Sequence, residues 1–418
     1  MTSGRPPRHL LMVMPYHQLV RKAVEAGFRV WSVWDPALRE KSYLDEVERH
    51  SEELLTADFG DHAALRGVVA EAARRYGIDA VLHLGGEDTM LPVAEEAEAL
   101  GLAVNPASAV RSLNDKAATR ALLNTAGVSV VRAREVTDAA QAADALAEFT
   151  LPVIIKPTRL AGSRGIALIR DPADLLEWNA RVERDGHRGP YLVEEYLEGP
   201  EFSVETLSAG CVHHIVGITA KRTGGAPYFV ESGHIHPAPL SAADAEALRA
   251  TVLELLDLAG YAFGPAHTEV VLTSRGPRVV ESQARLGGDR IPLLVDVASG
   301  FDIEAGIFRA LAGEPLAPPT PVRTAAIGFF QLPPGTVEAA EGTEDIARLP
   351  HVHALHFPWR AGDTLPATVS SATRHGYAVV DGATPDEAAE RLAEVERLVR
   401  STLRTSAPSA PRTEGSLT

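Results

Sequence analysis

Residues His267–Arg285 have the sequence HTEVVLTSRGPRVVESQAR. Two runs rich in β-branched residues flank residues 273–277, a segment that contains Ser, Gly and Pro. Such runs on either side of a turn predict an antiparallel β-hairpin. Because residues of a strand alternate between its two faces, the register of the hairpin decides which side chains lie together.

One face of this hairpin carries two acidic residues that oppose each other. If the turn centres on Arg275, Glu269 lies across from Glu281. Like charges in that position destabilise a hairpin unless a cation lies between them. Carboxylate and amide oxygens suit Mg²⁺, which usually also keeps water molecules and nucleotide phosphates as ligands. The face therefore predicts a metal site, and its other members are His267, Gln283 and Arg285.

Arg285 adds a guanidinium to this face, a group suited to holding a phosphate oxygen or to stabilising negative charge in a transition state. The alternative is a surface hairpin whose Glu and Arg side chains are simply solvated. In both cases we expect the opposite face to be apolar, and that face consists of Val270, Leu272 and Val280.

Upstream of the hairpin, the run PVIIKP places Lys156 at the end of an otherwise apolar strand. Burying an ammonium group there is costly unless it meets an anion. The loop that follows, residues 159–165, contains Gly162, Ser163 and Gly165. Glycines let backbone N–H groups approach phosphate oxygens, although an ordinary structural turn is the alternative for this loop.

An acidic but strand-like run, VEEYLEGPEFSVE, spans residues 193–205. So many Glu residues are unusual in a strand. Its acceptors suit an adenine amino group and ribose hydroxyls, and solvated charge explains the run equally well. Further upstream, Lys116 begins a predicted helix that ends near Ala126. A lysine at a helix start is ordinarily exposed to solvent.

The composition restricts the classes of function. The chain has 40 Lys and Arg against 56 Asp and Glu, for a formal net charge of −16. That balance argues against sequence-independent binding to nucleic acid, which depends on neutralising phosphates. The single cysteine, Cys211, excludes an internal disulfide and is expected to be a small core residue. Because no apolar run reaches the ~18 residues of a membrane span and no signal peptide is recognisable, we expect a cytoplasmic protein without a membrane partner.

The chain divides into three expected domains and a tail. Residues 1–108 alternate short apolar strands with helical patterns, which predicts a parallel α/β domain. Residues 109–318 mix strands and helices as an α+β domain does. Residues 319–404 form a smaller α+β domain that ends in a helix. Residues 405–418 are rich in Ser, Pro and Thr and are expected to be disordered.

Taken in order along the chain, these signals resemble the ATP-grasp superfamily. The resemblance rests on Lys116, on Lys156 with its glycine loop, on the acidic run and on the polar face of the hairpin. It covers roughly residues 108–315 and implies two α+β lobes that close on ATP, with a lid lobe at about residues 125–200. The preceding α/β domain resembles the usual N-terminal domain of the family, so an ATP-grasp fold is expected.

The resemblance implies a role for each group. Lys116 and Lys156 are expected to contact the phosphates of ATP, and the loop with Gly162, Ser163 and Gly165 is expected to cover them. The metal is expected to be Mg²⁺, with Mn²⁺ as a substitute. The remaining assignments are the adenine hinge (Glu194, Glu195 and Leu197), the ribose (Glu201), the metal (Glu269, Glu281 and Gln283) and the transferred phosphoryl group (Arg285). The family pattern has Asn where this chain has Gln283, whose extra methylene changes the reach of the amide oxygen.

Within the superfamily, residues 264–300 are most similar to the L-amino acid ligases, which form dipeptides. The segment FVESGH, residues 229–234, with Pro237 and the small C-terminal domain, is also similar to them. This resemblance implies that Glu231 binds a substrate amine and that His267 lies near the acyl centre. It also makes a homodimer an expected assembly.

Together the groups predict a reaction. A carboxylate is a poor electrophile, and phosphorylation by ATP gives an acyl phosphate whose leaving group is inorganic phosphate. An amine then attacks the acyl carbon, so we expect a carboxylate–amine ligase that joins amino acids and releases ADP and phosphate. One alternative keeps the fold but changes the substrate, as in a biotin carboxylase-like enzyme or a nucleotide-pathway ligase. Another is a non-catalytic nucleotide-binding regulator, which predicts eroded phosphate and metal groups.

Overall fold

The structure, a computed structural model, describes residues 8–159, 164–225 and 228–406. Gly162 and Ser163 of the predicted phosphate loop lie outside the described residues, as does the tail from residue 407. The described residues form four β-sheets with helices packed against them. None of the described helices is both long and apolar enough to cross a membrane.

The N-terminal domain consists of β1 (His9–Val13), α1 (His17–Glu25), β2 (Arg29–Trp34), α2 (Lys41–His50), β3 (Glu53–Thr56), α3 (His62–Tyr76), β4 (Ala80–His83) and α4 (Glu87–Ala99). Its parallel sheet has the strand order β3-β2-β1-β4. The inner strands are almost wholly apolar because a parallel sheet is covered on both faces, and Leu10, Leu11 and Val33 are fully buried. The strand order reverses at β1, so the loops after β1 and β4 open at the edge where ligands of such folds bind.

Helices α5 (Ala107–Asn114) and α6 (Lys116–Ala126) lead into a small lobe that contains β5 (Ala133–Val136), α7 (Ala139–Leu146), β6 (Val153–Pro157), β7 (Ala167–Ile169), α8 (Pro172–Arg184) and β8 (Tyr191–Glu195). Its antiparallel sheet has the order β5-β8-β6-β7. The Asp115 carboxylate caps α6 by accepting the N–H groups of Ala117 and Ala118, which fixes the start of the helix at Lys116. Trp178 fills the core of the lobe.

The second lobe consists of β9 (Glu201–Ala209), β10 (Val212–Thr223), β11 (Glu231–His236), α9 (Ala242–Ala259), β12 (Gly264–Thr273), β13 (Gly276–Gln283), α10 (Ile291–Ser299) and α11 (Ile303–Leu311). Helices α5, α6 and α9 cover one face of its sheet, where Val204 and Leu255 are fully buried. The other face is polar. The hairpin β12–β13 has the predicted register, with Glu269 paired to Glu281.

A β-bulge in this hairpin corrects the expected apolar face. The register shifts between Glu269 and Val270, so Val270 pairs with Val279 and leaves Val280 as the extra residue. Val279 is fully buried in the core, whereas Val280 lines the cavity on the polar side. The prediction for Val280 was wrong because one extra residue reverses the alternation beyond the bulge. As a result, the carbonyl oxygen of Val280 accepts a hydrogen bond from Lys156 Nζ at 3.1 Å.

The C-terminal domain consists of β14 (Thr324–Phe329), β15 (Gly335–Ala340), α12 (Thr343–Ala347), β16 (Val352–His356), β17 (Thr364–Leu365), a 3₁₀ helix (Ser371–Thr373), β18 (Tyr377–Gly382), α13 (Pro385–Thr402) and β19 (Leu403–Ser406). Strands β14, β18 and β16 extend the sheet of the second lobe, which then has the order β13-β12-β9-β10-β11-β14-β18-β16. Strands β17, β15 and β19 form a separate small sheet. The C-terminal domain is therefore joined to the second lobe by a continuous eight-stranded sheet.

Two expectations about short segments are corrected. Strand β19 pairs with β15 and includes Thr405 and Ser406, so regular structure extends into the segment expected to be disordered. Cys211 is exposed, in the tight turn between β9 and β10, where Gly210 and Cys211 have φ of 59° and 65°. A two-residue hairpin turn of this kind projects away from the core, so the thiol has no apolar interior to enter.

Candidate active site

A cavity of about 440 Å³ lies between the small lobe, the polar face of the large sheet and the 3₁₀ helix of the C-terminal domain. That volume is typical of small-molecule sites. Its apolar wall includes Ile154 and Ile166 of the small lobe and Val271 and Val280 of the hairpin. The predicted site residues that line it are Lys156, Glu194, Glu195, Leu197, Glu201, Glu231, His267, Glu269, Glu281, Gln283 and Arg285.

The two opposed carboxylates on the cavity floor are each paired with a lysine. Lys221 Nζ lies 2.5 Å from Glu269 Oε1, and Lys116 Nζ lies 2.8 Å from Glu281 Oε2. Burial alone would raise the pKa of both acids, but Lys221 holds the pKa of Glu269 well below its usual range and Lys116 lowers that of Glu281. The floor therefore presents two ionised carboxylates at neutral pH.

Gln283 adds an amide to this pair. Its Nε2 donates a hydrogen bond to Glu281 Oε1 at 2.7 Å, and its buried Oε1 accepts none from any residue that the structure describes. A carbonyl oxygen without a donor beside two carboxylates fits Mg²⁺, which takes oxygen ligands. Among the described residues, no three His, Cys, Asp or Glu side chains form a metal cage by themselves. The donor set thus fits an ion that completes its coordination with phosphate oxygens and water.

At the small-lobe end of the cavity, Lys156 belongs to a buried ion-pair network. Lys156 Nζ and Arg120 Nε each lie 2.6 Å from an oxygen of Glu194. Arg120 also donates to the carbonyl oxygen of Val279 at 2.7 Å, which ties the lobe to the hairpin. Burial alone would raise the pKa of Glu194, but the two cations lower it. Glu194, predicted to lie at the adenine, therefore holds Lys156 at the cavity wall.

The predicted hinge lies where the small lobe joins β9. Glu195 Oε1 accepts a backbone N–H just before β5, and its Oε2 accepts a hydrogen bond from Arg275 in the hairpin turn at 2.8 Å. Leu197 lines the cavity beside it. In the glycine loop, Gly165 has φ of 73°, and a Cβ atom there would lie 2.9 Å from Pro157 Cγ. That position therefore requires glycine.

His267 is buried between two carboxylates. Its Nδ1 lies 2.7 Å from Glu205 Oε1 and its Nε2 lies 3.3 Å from Glu269 Oε1. Burial alone would lower the pKa of His267, but Glu205 and Glu269 outweigh it and raise that pKa to about 10. A Cβ atom on Gly287 would come within 2.8 Å of Glu205 Oε2, so only glycine fits against this pair. At neutral pH His267 is an imidazolium cation, which suits charge neutralisation better than general-base catalysis.

Arg285 links the hairpin to the N-terminal domain. Its Nε and Nη2 both donate to Glu87 Oε1, at 3.0 and 2.6 Å. Glu87 lies in the first turn of α4, and the neighbouring Gly86 N–H contacts Met14 Sδ in the loop after β1. The open edge of the parallel sheet therefore meets the cavity at Arg285.

At the opposite end from the small lobe, the C-terminal domain contacts Glu231. Ser371 Oγ donates to Glu231 Oε2 at 2.7 Å, and Arg374 Nη1 lies 4.0 Å from the same oxygen. On the other side, Lys221 Nζ lies 3.7 Å from Glu231 Oε1. Glu231 is thus oriented by the C-terminal domain and remains on the cavity wall.

Asp289 and Arg374 form a second buried pair at this end. The Arg374 guanidinium donates to both carboxylate oxygens of Asp289, with Nη1 2.9 Å from Oδ2, and lies 3.6 Å from the centre of the Phe329 ring. His234 Nε2 lies 3.0 Å from Asp289 Oδ2. Burial would raise the pKa of Asp289, but Arg374 and His234 hold it far below its usual range. Asp289 has φ of 52°, and this network fixes the loop that carries Arg285.

Sequence reasoning missed several polar and charged residues that complete the site. The signal for two of them was available, because Glu205 directly follows the run FSV and Lys221 the run ITA, whose residues are apolar or hydroxyl-bearing. A charged residue at such a position is costly without a partner. The others lie far from their partners in the sequence and carry no local signal. The missed residues are Glu87, Arg120, Glu205, Lys221, His234, Asp289, Ser371 and Arg374.

Comparison with known proteins agrees with this geometry. Residues 149–292 match the ATP-grasp domain, and residues 328–404 match the L-amino acid ligase C-terminal domain 2. The chain therefore contains an ATP-grasp domain, and its C-terminal domain is of the L-amino acid ligase type. The predicted ATP-grasp resemblance and fold are confirmed.

Three individual proteins show how far the similarity extends along the chain. The chain is 28% identical over 351 residues to the protein y4rH of Sinorhizobium fredii, across 82% of this chain and 71% of that one. It is 28% identical over 247 residues to the alanine–anticapsin ligase of Bacillus subtilis, across 53% of this chain and 51% of that ligase, so this match spans about half of each protein. The solved L-amino acid ligase from Bacillus licheniformis has the same fold, with a TM-score of 0.80 at 24% identity over 97% of this chain and 100% of that one.

Proposed function

We propose that this ligase joins the carboxylate of one amino acid to the amine of a second, through an acyl phosphate formed with ATP. The observation that carries the proposal is the composition of one cavity. Its floor holds the opposed Glu269 and Glu281, each with a lysine, and its far wall holds Glu231, oriented by the C-terminal domain. A metal–phosphate site beside a carboxylate that can bind an amine brings both halves of a ligation together.

The small-lobe end of the cavity is assigned to ATP. Its apolar walls suit a flat base, and its buried lysines suit phosphates. The backbone around Gly165 lies on the same side, on the turn that follows β6. The assignments are Ile154, Ile166, Leu197, Val271 and Val280 for the adenine, Glu201 for the ribose, and Lys116 and Lys156 for the phosphates.

The floor is assigned to Mg²⁺, held by Glu269, Glu281 and the free carbonyl oxygen of Gln283. When bound, the ion neutralises phosphate oxygens and polarises the γ-phosphoryl group. Mn²⁺ accepts the same oxygen donors and is expected to substitute. His267, a cation at neutral pH, holds Glu269 and Glu205 in fixed positions around the ion.

The first step transfers the γ-phosphoryl group of ATP. A carboxylate oxygen of the substrate attacks the γ-phosphorus, the bond from that phosphorus to the β–γ bridging oxygen breaks, and ADP leaves. Such a transfer asks the protein for positioning and for charge neutralisation. Arg285, held by Glu87, is placed to neutralise charge on the transferred group.

In the second step the amine attacks the acyl carbon, the bond from that carbon to the phosphate oxygen breaks, and inorganic phosphate leaves with the second proton lost by the nitrogen. Glu231 binds the ammonium group of the second substrate and accepts its proton, so that the nitrogen has a lone pair for the attack. Closure of the small lobe over the cavity excludes water, which would otherwise hydrolyse the acyl phosphate.

The test is phosphate release from Mg·ATP in the presence of amino acids, singly and in all pairs, with mass spectrometry of the products. We expect release that depends on amino acids and a product whose mass equals two substrates minus one water. Release that depends on another carboxylate or on bicarbonate would contradict the amino-acid assignment. Nucleotide binding without release under any condition would contradict catalysis.

A further inference from the structure

A second cavity, of about 400 Å³, lies at a gap in the eight-stranded sheet and shares no lining residue with the candidate active site. Strand β11 pairs with β10 on one side and with β14 on the other, and it ends at His236. The N–H of Ala238 then donates to the carbonyl oxygen of Ile218, and the chain leads into α9. Beyond that point, residues 213–218 of β10 and the prolines of residues 318–321 line the cavity together. This cavity is called the sheet gap.

The sheet gap has the width of one strand. Because β10 and β14 lie on opposite sides of β11, they are two strand spacings apart, roughly 10 Å, where β11 runs between them. Past His236, no strand that the structure describes fills this middle position. On its other side, β10 pairs with β9 from Val212 to Ala220, with one bulge. Among the described residues, the backbone of residues 212–217 is therefore paired on one side only.

The two walls of the sheet gap differ in what they offer a ligand. The free edge of β10 presents backbone N–H and C=O groups, which can pair with an added strand. The opposite wall is formed by Pro318, Pro319 and Pro321, and proline has no N–H group with which to close the gap. The volume is typical of a small-molecule site. The sheet gap therefore suits a short extended segment that pairs with β10 and packs against the prolines.

The charge of the sheet gap also differs from that of the active-site cavity. Seven Asp and Glu residues line the active-site cavity, whereas none of the described residues that line the sheet gap is acidic. Arg249 of α9 lines the gap, and it forms no ion pair with any residue that the structure describes. In a chain with a formal net charge of −16, this cationic opening favours a ligand that carries a carboxylate.

His236 adds a polar group at the end of the sheet gap. Its ring lies against Gly217, where a Cβ atom would come within 2.2 Å of the ring carbon Cε1. Its Nδ1 lies 3.0 Å from Thr219 Oγ1, and its buried Nε2 has no hydrogen-bond partner among the described residues. A buried polar atom without a partner costs free energy, which is recovered if a ligand group reaches it.

We propose that the sheet gap binds a short peptide in extended conformation. The peptide takes the strand position that β11 leaves vacant, and its C-terminal carboxylate lies at Arg249. This inference goes beyond the proposed function and does not depend on it, because the binding needs neither ATP nor turnover. Under the proposed function, the ligand belongs to the chemical class of the enzyme's own product.

The test uses the full-length protein without nucleotide and three probes, namely trialanine, its C-terminal amide and a trialanine with both peptide nitrogens methylated. Calorimetry gives the Kd of each probe, and hydrogen–deuterium exchange locates the amides that the probe protects. The variants are Ala245→Phe, which fills the gap from α9, and Arg249→Gln. Arg397→Gln is the control, since Arg397 is also exposed, lies on α13 and forms no ion pair with a described residue. Thermal melting reports whether each variant is folded.

We expect trialanine to slow exchange at residues 212–218 and Ala245→Phe to abolish its binding. Arg249→Gln should weaken binding about threefold, as should amidation of the peptide, because each removes one partner of an exposed ion pair. Methylation of the peptide nitrogens should weaken binding about tenfold, because it removes the donors of the strand pairing. Arg397→Gln should bind trialanine as the wild type does.

Three results would overturn the proposal. They are no binding by the wild type, protection confined to the active-site hairpin at residues 267–285, and equal affinity for the methylated peptide. Equal affinity for the amide would contradict the carboxylate contact at Arg249. If Ala245→Phe does not fold, the exchange pattern of the wild type decides. Phosphate release, which tests the proposed function, is measured separately, so either proposal can fail while the other stands.

Discussion

The two ends of the cavity are built in different ways. At the small-lobe end, Lys156, Glu194 and Arg120 all belong to the ATP-grasp lobes, and they form a closed set of ion pairs. At the far end, three pairs join the second lobe to the N-terminal or the C-terminal domain. Glu87 holds Arg285 across 198 positions, Ser371 holds Glu231 across 140, and Arg374 holds Asp289 across 85.

Under the proposed function, the nucleotide end uses groups of the two lobes alone. The far end is assembled with the N-terminal and C-terminal domains, so a change in either domain would alter the proposed ligation site. The predictions below test whether the two ends respond separately.

The largest effect is expected for Glu281→Gln on the floor between the ends. The substitution keeps the shape but removes one of two carboxylates that hold the metal, and losing such a charge-stabilising group commonly costs ~3 kcal/mol, or about a hundredfold in rate. We expect kcat to fall about a hundredfold with the fold retained. Melting curves and turnover at varied Mg²⁺ give the measurement, with the exposed Glu338→Gln as the control. Unchanged turnover and Mg²⁺ dependence would remove Glu281 from the metal site.

An intermediate effect is expected when His267 is replaced, and it concerns how the free energy of unfolding depends on pH. Its pKa is raised from 6.5 to about 10, so its ion pairs contribute fully below pH 6.5 and are lost as the pH rises through about 10. We expect His267→Asn to lower the free energy of unfolding by about 2 kcal/mol at pH 6.5. The difference from the wild type should shrink toward pH 10.

Urea unfolding at pH 6.5, 8 and 9.5 measures this difference, and the exposed His62→Asn serves as the control. The control should follow the wild type at each pH. A difference between wild type and His267→Asn that grows with pH would mean that His267 is neutral in the folded protein, and the charge pattern of the floor would need revision.

The smallest effect, and the sharpest separation of the two ends, is expected for Arg374→Gln. Removing the guanidinium leaves Asp289 with weaker hydrogen bonds, and bonds to a charged group contribute about 1.5 to 3 kcal/mol. We expect the KM of the amine substrate to rise about tenfold, while the Kd of ADP stays within twofold. Kinetics with each substrate varied in turn measure the KM of the amine at the far end. Calorimetry with ADP measures its Kd at the small-lobe end.

Arg323→Gln is the matched control for this variant, since Arg323 also pairs with an aspartate of the C-terminal domain, Asp381, but lies away from the cavity. It should leave both constants unchanged. An equal loss of ADP and amine affinity in Arg374→Gln would show that the two ends of the cavity are coupled.

The sequence predicted the parts of the site that depend on short-range pattern. The register that pairs Glu269 with Glu281 follows from alternation across one turn, and the structure confirms it. The parallel N-terminal sheet and the last helix follow from periodicity and caps in the same way. The bulge at Val280 escaped prediction because nothing in the local pattern marks one extra residue.

The far end of the cavity could not be derived from pattern. Glu87 has the sequence context of an ordinary helix start, and Arg374 that of a surface loop. Their roles depend on domain packing, which brings them to Arg285 and Asp289. Lys221 is intermediate, because its strand shows that the charge is out of place but does not show which acids surround it. Roles inferred for Glu231, His267 and the phosphate-binding lysines remain predictions.

The transfer of one oxygen atom distinguishes an acyl phosphate from other intermediates. An amino acid labelled with ¹⁸O in its carboxylate is supplied with Mg·ATP and the second amino acid, and the released phosphate is analysed by mass spectrometry. If the carboxylate attacks the γ-phosphorus, one ¹⁸O atom passes to inorganic phosphate for each peptide bond formed, and the nucleotide product is unlabelled ADP. Unlabelled phosphate, or ¹⁸O in AMP, would contradict an acyl phosphate as the intermediate.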